Sequence, residues 1–227
     1  MSSKKHDIYL EAGEKRVFAG SVAWPGWCRN GRDDDSALQA LFDSGPKYAQ
    51  ILSSTNLGFE APKQMSSFNI VERLVGNRTT DFGAPDMPLE RDKEPVDPDE
   101  LQRFQMLLKS CWEAFDRSVE KAKGKQLQKG PRGGGRDLEK IIEHVTGADE
   151  SYLKQIGWKI ENFQETDPDE RHARIRDEIL KGLVAAVRGE LPTEGPRGGK
   201  RWLPRYFVRR VTWHVIDHTW EIEDRIL

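Results

Sequence analysis

The sequence predicts an α+β protein: a small N-terminal α/β domain over residues 1–84, a linker over 85–96, and a four-helix bundle over 97–227. Three observations carry this. Two apolar-rich stretches flank a short turn near the N-terminus, the pattern of a hairpin. After Pro98, apolar residues recur at three- and four-residue spacing in four separate stretches. The second half also repeats itself. Asp97-Pro98-Asp99-Glu100 returns as Asp167-Pro168-Asp169-Glu170, and His144 returns as His214, both seventy residues on. Gly130-Pro131-Arg132-Gly133-Gly134 returns as Gly195-Pro196-Arg197-Gly198-Gly199, sixty-five residues on. Each copy reads as a capped helix, a glycine-rich loop and a helix with a histidine.

Residues 7–11 and 16–23 are the predicted hairpin strands, joined by Ala12-Gly13-Glu14-Lys15. Asp33, Asp34 and Asp35 precede Leu38, Leu41, Phe42, Tyr48 and Leu52, which have helical spacing with acids at the positive end. Gly45-Pro46 is expected to break that helix. Residues 68–75 alternate enough for a third strand. Residues 79–98 carry four prolines and many charges, and read as an extended linker.

In the bundle, Asp97 is an N-cap, Pro98 fits the first helical position, and Glu100 is placed to complete a capping box. Leu101, Phe104, Leu108, Cys111 and Phe115 form the first apolar stripe. The second helix is expected over about 136–157, with Ile141 and Val145 inward. The third starts at the second Asp-Pro-Asp-Glu and buries Ile175, Ile179, Leu183 and Val187. The fourth starts near Trp202 and runs through Phe207, Val211, His214, His218 and Ile222.

Composition narrows the function classes. A net charge of −2 implies no general attraction to nucleic acid. The longest aliphatic run, Leu183 to Val187, is too short for a bilayer, so no membrane partner is expected. No apolar stretch follows the first lysines, so no signal peptide is read there. The two cysteines, Cys28 and Cys111, are unclustered, which suits a reducing cytoplasm and excludes a thiolate-rich zinc site.

The chemistry concentrates in histidines. His214 and His218 are four apart, so they project from one helix face. The repeat brings His144 toward them from another helix. Three imidazoles with an open position are a catalytic type of metal site, for nickel or zinc. The alternative is a polar layer of ordinary histidines in the core. Glu221 is either an acceptor behind the site, a fourth ligand or a solvated charge. Asp217 and Glu143 point about 100° away from their histidine neighbours. His6 is expected in a loose N-terminus and His172 on the surface, neither as a ligand. The glycine-rich loops either cradle an anion or lead in flexibly with solvated arginines. Trp24 and Trp27 flank Pro25-Gly26, and at least one is expected at an interface with the bundle.

From about residue 98 onward the chain resembles the DinB/YfiT-like superfamily of metalloenzymes. The resemblance lies in His144 within Ile141-Ile142-Glu143-His144-Val145, in His214 and His218, and in the spacing between them. It implies a four-helix bundle and a three-histidine site for a divalent cation. It also implies a small-molecule or thiol substrate, thiol transfer or hydrolysis, and a homodimer. The N-terminal half is similar, more faintly, to the HicB-like fold. That similarity lies in Phe18-Ala19-Gly20, Trp24-Pro25-Gly26-Trp27-Cys28 and Gly31 before an acidic helix start. The alternative function it implies is a non-catalytic sensor or partner-binding scaffold, a HicB-like binding domain on a helical bundle.

Overall fold

The computed structural model describes residues 5–129, 135–161 and 167–227. It is α+β, with a small mixed sheet and long helices. Strands β1 (His6–Ala12) and β2 (Val17–Ser21) form the expected hairpin, with Ile8 opposite Ser21 and Ala12 opposite Val17. A strand not read from the sequence, β3 (Cys28–Gly31), pairs antiparallel with β2. β4 (Phe68–Val75) lies parallel to β1, giving the order β3-β2-β1-β4. The four residues of β3 carry little alternation. What fixes them is the preceding turn, where Ser21 N–H donates to the Trp27 carbonyl at 2.9 Å. Gly26 in that turn has φ +91°, and a methyl there would lie 2.7 Å from Ile216 Cδ1. Glycine is therefore needed both for the backbone and for the close approach.

Helix α1 (Asp34–Ile51) runs unbroken through Gly45-Pro46, contrary to the expected break. Packing overrides the lost donor. Trp27 Nε1 donates to the Leu41 carbonyl and to Ser44 Oγ, each at 3.1 Å. Tyr48 Oη donates to the Pro25 carbonyl at 2.8 Å. Both rings are fully buried and meet Phe59 edge-on.

Residues 79–98 are not an extended spacer. They contain the end of a short helix, α2 (Arg78–Phe82), and a 3-10 turn, Glu90–Lys93. Polar groups from distant elements hold them down. Glu11 of β1 is fully buried and accepts from Thr80 Oγ1 at 2.5 Å, Asp86 N at 2.8 Å and Met87 N at 3.1 Å. Asp92 is buried against Arg209, and Arg210 donates to the Pro85 carbonyl. Tyr206 Oη donates to the Asp86 carbonyl at 2.8 Å. The segment is a strap across the last helix. Local composition cannot reveal this, because its partners lie about seventy residues before it, in β1, and more than a hundred residues after it, in α6.

The four long helices are α3 (Pro98–Ala122), α4 (Leu138–Ile156), α5 (Pro168–Val187) and α6 (Pro204–Arg225). Asp97 accepts from Glu100 N at 2.8 Å, and Asp167 accepts from Asp169 N and Glu170 N at 3.0 Å. The expected capping box at Asp97 does not close, because the Glu100 carboxylate turns to Arg205. α6 packs on α3 and α4, and α4 packs on α5. The first helix of each repeat thus pairs with the second helix of the other. One core joins sheet and helices, from Ile8 and Leu41 to Leu107 and Phe207. Trp24 is buried beneath Arg103 of α3, whose guanidinium carbon is 4.5 Å from the ring centroid. Trp27 sits in the aromatic cluster of α1. The first glycine-rich loop and residues 162–166 of the link between α4 and α5 lie outside the described residues. The second loop is a tight turn, with Gly195 N–H donating to the Gly199 carbonyl at 2.7 Å.

Candidate metal centre

α4 and α6 place the three expected histidines together. On α4, Ile141 and Val145 are fully buried and flank His144, which turns it toward α6 at half-burial. On α6, His214 and His218 lie one turn apart beside buried Val211, Val215 and Ile222, and are only 7% exposed. The ring centroids of His144 are 5.0 Å from His214 and 4.9 Å from His218, and the latter two are 4.6 Å apart. One ligand nitrogen from each lies within 4.8 Å of the other two. Among the described residues this is the only such group of three.

The closest approach is His214 Nε2 to His144 Nε2, at 3.2 Å. Two nitrogens bound tetrahedrally at about 2.0–2.1 Å stand roughly 3.3 Å apart. The observed spacing fits that requirement with little adjustment. Two imidazolium rings would repel at this distance, which disfavours simultaneous charge on His144 and His214. Burial holds His214 well below the ordinary histidine range, and the charges of His218 and His144 add to the effect. Burial, then His218, also lowers His144. Neutral imidazoles are the form that binds metal.

His218 is oriented from behind. Its Nδ1 lies 2.7 Å from Glu221 Oε2. Hydrogen bonding from His218 keeps the Glu221 carboxyl below its usual range, so it is ionised and Nδ1 is the donor. Nε2 is then the nitrogen left to face the other rings. The second Glu221 oxygen accepts from Arg225 Nη1 at 2.5 Å. Arg225 in turn donates to the Gln128 carbonyl at 2.9 Å and the Arg136 carbonyl at 2.7 Å. Glu221 is thus the partner that sets the tautomer, an arrangement typical of metal-binding histidines.

Other residues fall where local geometry puts them. Asp217 points away from the trio, as helix geometry requires, and meets Arg29 of β3 at 3.5 Å. His172 is not on the surface as expected. It is half-buried between helices, with Nδ1 2.6 Å from Thr146 Oγ1 and its ring 5.9 Å from Phe115. His6 is not loose either. It is buried in β1, edge-on to Trp27 at 5.3 Å. Neither joins the trio.

Three neighbours, Tyr152, Arg210 and Arg225, were not singled out by sequence reasoning. The Tyr152 ring is 5.8 Å from His214, and the Arg210 guanidinium lies over Tyr152 and Trp213. Tyr152 is two turns past His144 on the same helix face, a spacing that could have marked it. Arg225 is one turn past Glu221 by the same rule. No family model matches this chain, and the curated proteins and solved structures likewise give no match.

Proposed function

We propose that this protein is a divalent-metal-dependent enzyme whose ion, nickel or zinc, is held by His144, His214 and His218. The observation that carries the reading is the 3.2 Å approach of the buried His214 and half-buried His144 imidazole nitrogens, with a third ring beside them. The resemblance to DinB-like metalloenzymes at these three positions supports it. Three protein ligands leave positions for a substrate. A divalent ion there supplies a Lewis acid that lowers the pKa of a bound thiol or water. We read the reaction as transfer of a small thiol or hydrolysis of a small substrate. The chain's own part is positional. Burial keeps His214 and His144 neutral, and Glu221 directs His218 Nε2 inward.

The test is metal analysis of full-length protein purified without a histidine tag. Nickel or zinc is expected at up to one per chain, and His214→Ala should lose it. Retention of metal by His214→Ala would place the ligands elsewhere. Cobalt-substituted protein then separates the two chemistries. A small thiol should add a thiolate-to-cobalt charge-transfer band if thiols are substrates. An unchanged spectrum at saturating thiol leaves hydrolysis.

A further inference from the structure

A cleft of about 870 Å³ opens where α4 begins and α6 ends. Six basic side chains line it: Lys123, Lys125, Lys129, Arg136, Lys140 and Arg225. Among the described residues, two acidic side chains, Asp137 and Glu139, accompany them. The sequence carries the same bias, since residues 121–136 include six Lys or Arg and no Asp or Glu in a chain of net charge −2. Part of this charge is answered locally. Lys123 pairs with Glu120 at 2.7 Å, Lys140 with Asp137 at 2.8 Å, and Arg225 with Glu221 at 2.5 Å. Among the described residues, Lys125, Lys129 and Arg136 make no ion pair, and all three are exposed.

The cleft is aligned with the histidines. Lys140 is one turn before His144 on α4, about 6 Å along the axis, and Arg225 is two turns past His218 on α6, about 10 Å. The two ends meet, because Arg225 holds the Arg136 carbonyl at 2.7 Å.

We propose that this basic cleft docks the anionic end of the metal centre's substrate, a carboxylate or phosphate oxyanion. The inference deepens the metal-enzyme reading and rests on it for the fate of the substrate, whereas docking itself needs only the cations. Charge-assisted hydrogen bonds from Lys and Arg are the usual means of holding such groups. A spacing of one to two helical turns between cleft and histidines leaves room for a short organic chain between anion and reacting group. Single-stranded nucleic acid is a poorer fit, because among the described residues no aromatic side chain lines the cleft to stack on bases.

Tag-free full-length protein is titrated calorimetrically at low salt with succinate and, separately, inorganic phosphate. Each titration is run with and without bound zinc, so that coordination to the ion is separated from docking. Saturable binding of at least one anion is expected, weakened about tenfold by Lys129→Gln with Arg136→Gln and unchanged by Lys63→Gln. Binding of succinate alone identifies a carboxylate, and of phosphate alone a phosphoryl group. Three results overturn the proposal: no saturable binding at millimolar anion, binding unchanged in the double variant, or saturable binding of a uridine oligonucleotide only. A protein that binds anion but holds no metal sinks the metal centre and leaves the cleft standing. One that holds metal but binds no anion sinks the cleft alone.

Discussion

His218 gives one ring nitrogen to Glu221, 2.7 Å away, and so has only the other to offer the trio. The pairing makes Glu221 a residue that acts through His218. Replacing Glu221 by Gln keeps the shape but removes the charge that favours the Nδ1–H tautomer. Metal affinity, measured by chelator competition, is expected to fall by about 10- to 100-fold while the fold persists. Unchanged affinity would show that Glu221 serves only Arg225.

Burial pushes His172 down to about 4, with the charge of Arg176 adding to it. Its folded pKa lies below the unfolded value of about 6.5. The stability it contributes is therefore fully present above pH 6.5 and lost as pH falls toward 4. His144 and His214 shift in the same direction. Urea denaturation of metal-free protein should show stability dropping across that window. His172→Gln should shallow the drop without abolishing it, and an unaltered slope would refute the assignment.

Asp149 on α4 is fully buried, and among the described residues neither of its oxygens has a hydrogen-bond partner. Burial raises it to about 8. Here the sign is opposite. The unfolded chain ionises near pH 4 while the folded chain stays protonated, so this group's contribution declines from pH 4 to 8. Asp149→Asn should remove that decline and stabilise the protein at pH 8–9, by on the order of 1–3 kcal/mol. Difference curves between wild type and variant isolate the effect from the histidines.

Arg209 and Asp92 form a buried pair that ties the strap to α6. Asp92→Ala leaves the guanidinium without its counter-charge and should cost about 3–5 kcal/mol. Adding Arg209→Met should recover much of the loss, since a well-packed apolar replacement can substitute for such a pair. A double variant as unstable as the single one would mean that the pair does not explain the cost.

Much of this was legible in the sequence. The stripes of α3 to α6, the caps at Asp97 and Asp167, and the convergence of His144 with His214 follow from spacing alone. What was not legible depends on partners far along the chain. Pro46 sits mid-helix because Trp27 and Tyr48 clamp α1. The proline-rich stretch is ordered by Glu11 and by arginines of α6. β3 exists because β2 offers an edge and Gly26 permits a tight approach. His6 and His172 were misplaced because burial is decided by neighbours in space, such as Trp27 and Phe115, that no local pattern names.

The position of α6 bears on how the chain is made. It follows every other described element, yet it fills the core against α3 and α4, receives the strap and supplies two of the three histidines. A ribosome that has not yet released residues 204–225 therefore holds a nascent chain whose earlier helices have apolar faces and no cover. Stalled chains of that length should be bound by chaperones and cut by protease, and protection should arrive in one step once α6 emerges. Synthesis, rather than stability of the finished molecule, is then where this architecture is most exposed to failure.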